Sequence, residues 1–169
     1  MSSAVTQKLT VFLAFPQDAE EAVTFYTSLF DGSEVINTIR ARAGEPGWVE
    51  GTLQHAVFTL AGQQFMCINI PPEGARGSDH APWDTYAFSP AMAVYVQCDS
   101  DEEFDRVFEG LSEKGEVIMP VGTYGFSAKF AWVNDRFGVS WRINLSAQVV
   151  AETVRGRLQS GERLHVGLL

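Results

Sequence analysis

An internal repeat constrains the fold of this chain more than any other feature. Residues 9–36 align without a gap with residues 91–118, at an offset of 82 residues that places Glu20 on Glu102 and Leu29 on Leu111. Self-similarity at a fixed spacing indicates that one supersecondary unit occurs twice. In each copy a short apolar run is followed by an acidic turn and then by apolar residues at helical spacing. The repeat therefore predicts two modules that each begin with a strand and a helix.

Matching signals mark the ends of both predicted helices. Asp18 and Ser100 stand at the N-cap position, and each has a glutamate three residues later, which is the pattern of a capping box. Gly32 and Gly115 stand near the C-terminal ends, where a left-handed residue commonly ends a helix. These signals predict helices over residues 18–30 and 101–114.

Three further strands are predicted after each helix. The fold class is therefore α+β, with two βαβββ modules that together form one curved mixed sheet, because neither half alone buries both of its faces. We predict opening strands near Leu9 and Met92, later strands over 34–41, 53–61, 63–70, 116–121, 127–134 and 138–145, a tight turn at Ala61-Gly62, and one domain over 1–145 made of module 8–70, linker 71–90 and module 91–145. The tail, 146–169, has apolar residues at helical spacing and is predicted to be helical.

Composition and charge exclude several classes of protein. A hydrophobic fraction of 46% with 20% charged residues is typical of a globular chain and excludes a disordered one. A net charge of −9 repels a phosphate backbone, so no nucleic acid partner is expected. Cys67 and Cys98 lie in apolar segments and predict buried free thiols in a reducing compartment. With no apolar run long enough to span a bilayer, we expect a soluble cytoplasmic protein with no membrane partner.

Four segments carry a resemblance to a known group of proteins: AEEAVTFYTSLF, HAVFTLAGQQFMCIN, FSPAMAVYVQC and, most specifically, NDRFGVSWRIN. They resemble the glyoxalase/bleomycin-resistance/extradiol-dioxygenase group, also called the vicinal oxygen chelate superfamily. Within it the chain resembles the PhnB-like branch, whose domain is commonly labelled 3-demethylubiquinone-9 3-methyltransferase. The resemblance covers residues 8–145 and implies a glyoxalase-like fold, a ligand cup on the concave side of the sheet, and a homodimer.

The resemblance also implies positions for a metal ion, which enzymes of the superfamily bind through His, Glu or Gln. Carried over to this sequence, those positions fall near Val11 and Ala93 in the first strand of each module and near Cys67 and Arg142 in the last. Valine and alanine have no lone pair, and arginine repels a cation, so we expect no metal. The glycine-rich turn of classical S-adenosylmethionine enzymes is missing after the first strand, so we expect no cofactor and no methyl transfer.

Strand alternation suggests which side chains face the cup. In the last strand, Trp141 and Ile143 are expected to pack under the helices, which leaves Arg142 and Asn144 on the other face. There Arg142 would bind a carboxylate or phosphate, and it would face His55 across the sheet.

His55 is the candidate acid–base residue, because its unperturbed pKa lies near neutrality. The other candidate ligand-binding residues are polar or aromatic groups on strands and loops: Cys67, Asn69, Trp48, Trp132 and Tyr124. For each candidate a structural role is the alternative, such as an ion pair for Arg142, a hydrogen bond for His55 and core packing for Cys67.

Three classes of function are compatible with these residues. The first is a protein that binds a small anionic or aromatic metabolite in a metal-free cup, with or without catalysing a reaction. The second is a metal-dependent glyoxalase-like lyase or dioxygenase. The third is a sequestering protein of the antibiotic-resistance type. Fold-level resemblance does not fix the chemistry, so the sequence leaves the substrate open.

Overall fold

The computed structural model describes residues 7–71, 87–125, 127–148 and 152. The chain divides into two compact units, Met1–Ala87 and Phe88–Leu169, and each contains one of the predicted modules. The first comprises β1 (Val11–Phe15), α1 (Ala19–Leu29), β2 (Glu34–Arg40), β3 (Leu53–Leu60) and β4 (Gln63–Asn69), and the second β5 (Val94–Cys98), α2 (Asp101–Ser112), β6 (Glu116–Tyr124), β7 (Ser127–Asn134) and β8 (Ser140–Leu145). The two-module βαβββ prediction is confirmed.

Each unit holds its own four-stranded mixed sheet, and the two sheets have the same topology. The strand orders are β1-β4-β3-β2 and β5-β8-β7-β6. In both, the first strand pairs in parallel with the last, and the other neighbours are antiparallel. Because side chains alternate along a strand, every second residue of the central strands β3, β4, β7 and β8 packs under the helix of its unit and is buried, whereas no residue of the edge strands β2 and β6 is buried. We call the opposite face of each sheet its open face.

The repeat is not gapless in three dimensions. The N-cap residues Asp18 and Ser100 keep the 82-residue offset, but strand pairing places Val11 on Val94, an offset of 83. The turn between strand and helix has three residues in the first unit and two in the second. The alignment of Val11 with Ala93 is therefore wrong by one residue, which in a strand reverses the face of the sheet.

The two helices begin differently. At α2, the Ser100 Oγ accepts a hydrogen bond from the Glu103 backbone N–H at 3.1 Å, so the predicted cap is confirmed. At α1, the Asp18 side chain makes no capping hydrogen bond, and the prediction is wrong there. Instead the Asn69 Oδ1, on β4, accepts from the Ala19 N–H at 2.9 Å. A residue distant in sequence thus satisfies a backbone N–H at the start of α1 that has no partner within the helix.

The glycines after the two helices are needed for different reasons, the first for its backbone conformation and the second for lack of room for a side chain. Gly32, three residues after the end of α1 at Leu29, takes the predicted left-handed conformation, with a φ of +67°. After α2, however, Lys114 takes the left-handed conformation, with a φ of +60°. A Cβ at Gly115 would collide with the carbonyl oxygens of Leu111 and Asn134. Gly115 is therefore required by close backbone approach between α2 and β7.

Of the predicted tail, 146–169, only residues 146–148 and 152 lie within the described residues, and Ala147 and Gln148 are helical. In the described part of the chain, neither α1 nor α2 is long and apolar enough to cross a membrane.

Candidate functional site

A row of four side chains crosses the open face of the second sheet. Tyr95 on β5 pairs with Arg142 on β8, Arg142 pairs with Trp132 on β7, and Trp132 pairs with Met119 on β6. Directly paired residues lie on the same face of a sheet, so these four form one line, which we call the Arg142 row. Two predicted site residues, Arg142 and Trp132, are brought together here.

Arg142 is held against Trp132. Its guanidinium carbon lies 4.4 Å from the centre of the Trp132 ring, in a cation–π contact. The ring is itself fixed, because its Nε1 donates to the buried Ser140 Oγ at 2.8 Å. Within the described residues no carboxylate forms an ion pair with the partly buried Arg142. The alternative of a structural ion pair is thus not found there, and the guanidinium N–H groups remain available to a ligand.

A second row lies two residues further along the same face. Gln97 Oε1 accepts from Asn144 Nδ2 at 2.7 Å, and Asn144 pairs with Phe130 across the sheet. The Asn144 side chain is only 4% exposed, and its Oδ1 is buried without a hydrogen-bond partner. The Tyr124 ring stands edge-on to Phe130 at 5.6 Å, and its hydroxyl donates to the Pro120 carbonyl at 3.2 Å. Asn144 and Tyr124 thus also lie beside the Arg142 row.

The predicted positions of Cys67 and Asn69 are corrected by the structure. Both are buried on the helix-covered face, so neither lines the open face. Asn69 holds Ala19 through its Oδ1, and its Nδ2 donates to the Leu53 carbonyl at 2.8 Å. Burial raises the pKa of Cys67 to about 11, which leaves an inert thiol.

The sheet face of Cys67 was misassigned because the sequence analysis treated Cys67 and Arg142 as equivalent positions in the last strands of the two modules. The parallel pairs Val11↔Phe65 and Val94↔Trp141 are equivalent, so Phe65 corresponds to Trp141. Counting on from there, Met66 corresponds to Arg142. Cys67 corresponds to the core residue Ile143 and not to Arg142.

His55 lies on the open face of the first sheet, in a row with Ala14, Ile68 and Ile39. Its ring centre is 6.4 Å from that of Phe12, and its Nδ1 is buried without a hydrogen-bond partner. The expectation that it faces Arg142 across one sheet is wrong, because the two residues belong to different sheets. His55 is therefore a single titratable group within an otherwise apolar row.

Trp48 lies in the loop between β2 and β3, where its backbone N–H donates to the Glu45 backbone carbonyl at 3.2 Å. Close by in sequence, a shallow cavity of about 410 Å³ is lined by Ile39, Arg40, Arg42, Ala43, Gly44, Glu45 and Gln54. The Glu45 carboxylate accepts hydrogen bonds from the Arg42 backbone N–H at 3.0 Å and from Gln54 Nε2 at 2.6 Å. These bonds lower the pKa of Glu45. Since Glu45 is already engaged with the protein, this cavity is a weaker candidate than the Arg142 row.

The most specific sequence motif has a structural role. The buried Asp135 accepts from the Phe137 and Val139 N–H groups at 2.8 and 3.0 Å and from Trp141 Nε1 at 2.8 Å. These bonds fix the β7–β8 turn, and Gly138 completes it with a φ of +86°. Asp135 thereby sets the register that places Trp132 opposite Arg142.

Sequence reasoning missed Tyr95 and Gln97, which complete the two rows on β5. Both alternate with Val94, Val96 and Cys98, and this alternation was the signal that could have found them. Met119 and Phe130 were also missed, because strand pairing and not sequence brings them beside the site.

The open faces offer a poor donor set for a divalent cation. Within the described ranges, no three His, Cys, Asp or Glu side chains lie close enough together to hold a metal ion. The first sheet presents Phe12 and Met66 at the positions where the second presents Tyr95 and Arg142. Hydrocarbon, thioether and guanidinium groups do not suit a hard or borderline cation.

Comparison with known proteins agrees with the fold. A family model described as 3-demethylubiquinone-9 3-methyltransferase matches residues 7–144. A PhnB protein from Bacillus cereus is 48% identical, with a TM-score of 0.70 and coverage of 83% of this chain and 100% of that chain. A protein from Pseudomonas aeruginosa is 23% identical, with a TM-score of 0.68 and coverage of 83% and 98%. The glyoxylase/bleomycin resistance protein/dioxygenase domain from Frankia sp. is 14% identical, with a TM-score of 0.53 and coverage of 86% and 95%.

The last two likenesses show the fold alone, and no curated protein matches the chain. The family match, by contrast, extends from before β1 to the end of the Asp135 motif, and the Bacillus cereus protein is aligned over its whole length. The chain therefore belongs to the family described as 3-demethylubiquinone-9 3-methyltransferase and is PhnB-like.

Proposed function

We propose that this protein binds a small anionic metabolite on the open face of the second sheet, with Arg142 as the anchor. The observation that carries the proposal is the partly buried Arg142 guanidinium, stacked on Trp132 and without a carboxylate partner among the described residues. A guanidinium held in one orientation presents parallel N–H donors that match a carboxylate or phosphate.

The side chains around Arg142 favour a ligand with a flat apolar part. Tyr95 is 55% exposed beside Arg142, and Trp132 lies on its other side. Aromatic walls with few polar groups are typical of sites for small organic molecules. We therefore propose an aromatic or otherwise flat carboxylate or phosphate as the ligand class.

Methyl transfer, which the family description names, has no support in the part of the chain that the structure describes. In the first unit β1 is followed by Pro16, Gln17 and Asp18, with no glycine, and the sheet has a single parallel pair. A classical S-adenosylmethionine site needs a glycine-rich turn in a doubly wound parallel sheet. We propose binding, with or without catalysis, in place of methyl transfer. Separately, we propose His55, on the open face of the first sheet, as a candidate acid–base residue.

We also propose that the protein is a homodimer. All seven residues of the edge strand β2 are exposed, among them Val35, Ile36 and Ile39. Exposed apolar edge strands are commonly covered by a partner chain, because their unpaired backbone groups and apolar side chains favour association. The edge strand β6 of the second sheet also exposes Val117 and Val121, and such edges favour a paired assembly.

The binding proposal is tested by the substitution Arg142→Ala. Isothermal titration calorimetry with 3-phenylpropanoate as the probe measures its dissociation constant for both proteins. In Arg142→Ala the ligand loses hydrogen bonds to a charged group, worth about 1.5–3 kcal/mol. This loss corresponds to a roughly 10- to 150-fold increase in the dissociation constant. Arg42→Ala, which removes an exposed arginine of the first unit, is the matched control and should leave the constant unchanged. Equal affinities of wild type and Arg142→Ala, or no binding by the wild type, would contradict the proposal.

A further inference from the structure

The second sheet holds a polar atom that the proposed anion site does not use. Asn144 is 4% exposed, and its Oδ1 is buried without a hydrogen-bond partner, while its Nδ2 is engaged by Gln97. A buried acceptor that lacks a donor destabilises a folded protein, because it has lost its hydrogen bonds to water and has formed none within the protein. A ligand that brings a donor to this oxygen removes that cost.

The position of Asn144 relates this acceptor to Arg142. Both side chains lie on the open face of β8, two residues apart, a Cα separation of about 6.6 Å in an extended strand. Gln97, which holds the Asn144 amide, is exposed, so the pair can adjust without disturbing the helix-covered core. One small molecule can therefore meet both groups.

We infer that the ligand carries a hydroxyl group beside its anionic group, and that Asn144 Oδ1 accepts the hydroxyl hydrogen bond while Arg142 binds the anion. This inference rests on the proposed anion site and adds a substrate class, the hydroxylated carboxylates or phosphates. An ammonium donor is disfavoured, because it would place a second positive charge beside the Arg142 guanidinium.

A second unpartnered amide oxygen on the same face is a weaker candidate. Asn134 Oδ1 is also buried without a partner, and Asn134 pairs with Ser140 on the other side of the Arg142 row. Its Nδ2, however, donates to the Glu116 carboxylate at 3.5 Å. That negative charge repels an anionic ligand, so Asn144 is the residue expected to receive the hydroxyl group.

The experiment compares three matched probes: 3-phenylpropanoate, its 2-hydroxy derivative and its 2-methoxy derivative. The methoxy compound keeps the oxygen but has no hydrogen to donate. For the wild-type protein, we expect the hydroxy acid to bind about 3- to 10-fold more tightly than both others, as one net hydrogen bond allows. Equal affinity of the hydroxy and methoxy acids, or of the hydroxy and parent acids, would overturn the inference.

The preference is then measured in Asn144→Leu. Ile68 occupies the equivalent position on β4 of the first sheet, so this fold accepts an apolar side chain there. The ratio of parent to hydroxy-acid dissociation constants should fall to about one, and this ratio does not depend on the fraction of folded protein. Loss of the preference in Asn134→Leu, with its retention in Asn144→Leu, would show that the assignment to Asn144 is wrong.

Failure of the inference is distinguishable from failure of the proposed function. If all three acids bind equally and Arg142→Ala weakens all of them, the anion site stands and the hydroxyl class is excluded. If Arg142→Ala leaves all three affinities unchanged, or if no probe binds, the anion site itself is wrong and the inference falls with it.

Discussion

The Arg142 guanidinium lies 4.4 Å from the centre of the Trp132 ring, which in turn is hydrogen-bonded to Ser140. An arginine side chain has several rotatable bonds, and fixing them costs entropy when a ligand binds. The ring reduces that cost, because the guanidinium is already oriented before the ligand arrives. The stacking contact therefore determines how strongly Arg142 can act as an anion anchor.

Replacing Trp132 by Leu should weaken anion binding about 2- to 5-fold, since an exposed cation–π contact is worth roughly 0.5–1 kcal/mol. Trp132→Phe keeps an aromatic ring but loses the hydrogen bond to Ser140, and it should bind with intermediate affinity. Calorimetric titration with 3-phenylpropanoate measures both effects. An unchanged dissociation constant in Trp132→Leu would show that the stacking does not orient Arg142.

Chelation should have no effect on this protein. The side chains of the open faces are a poor donor set, so we expect 1 mM EDTA to change neither the melting temperature nor the affinity for the acid probe. Differential scanning fluorimetry and elemental analysis of protein purified without added metal measure this. Stoichiometric zinc, nickel or iron, with a lower melting temperature after chelation, would favour the metal-dependent lyase or dioxygenase instead.

The exposed edge strand β2 leads us to expect a dimer of the 18.6 kDa chain at micromolar concentration. Sedimentation velocity across a dilution series measures the mass directly. A monomer as the only species throughout that series would contradict the proposed homodimer.

The two thiols predict a loss of stability in alkali. Burial raises the pKa of Cys67 to about 11, and burial together with the charges of Glu103 and Asp99 raises that of Cys98 to about 12. In the unfolded chain a thiol ionises near pH 8.5. Between that pH and the folded values only the unfolded state loses protons, so the free energy of unfolding falls as the pH rises.

Urea denaturation at pH 7.5, 9 and 10.5 measures this loss, and the variant with Cys67→Ala and Cys98→Ala supplies the control. The wild type should lose more stability than the variant over this range. At pH 7.5 a thiol reagent should label the two cysteines only after denaturation. Rapid labelling of the folded protein, or equal alkaline losses in both proteins, would show that the thiols are not shielded.

Removing the Asp135 carboxylate should be strongly destabilising. Asp135→Ala leaves the partly buried Phe137 backbone N–H, the buried Val139 backbone N–H and the Trp141 indole N–H without their acceptor, at a cost of about 3 kcal/mol. Asp135→Asn keeps one acceptor oxygen and should cost less. Chemical denaturation measures both, and a change below about 1 kcal/mol in Asp135→Ala would show that the turn does not depend on this residue.

Most of the element pattern was predictable from the sequence, because it depends on local periodicity. The strand 127–134 has the predicted bounds, and the turn at Ala61-Gly62 forms with a φ of +47° and +81°. The cap of α1 could not be predicted, because its acceptor is Asn69 from a strand fifty residues away in sequence. For the same reason the capping box was correct at Ser100, whose partner is local, and wrong at Asp18.

For the candidate site, alternation alone placed Arg142 and Asn144 on one face and Trp141 and Ile143 on the other. It could not decide which face of β4 the helix covers. Cys67 and Asn69 were therefore placed on the open face, although they lie in the core.

The sequence by itself determined the two βαβββ modules, the alternation of each strand and the residues available for an anion site. Only the tertiary structure decided which of those residues are neighbours, because strand pairing joins positions that are distant in the chain. A one-residue difference in the turn before each helix shifted the register between modules, and a shift of one residue exchanges the two faces of a strand. Strand pairing also places Trp132 opposite Arg142 and leaves His55 in a different sheet.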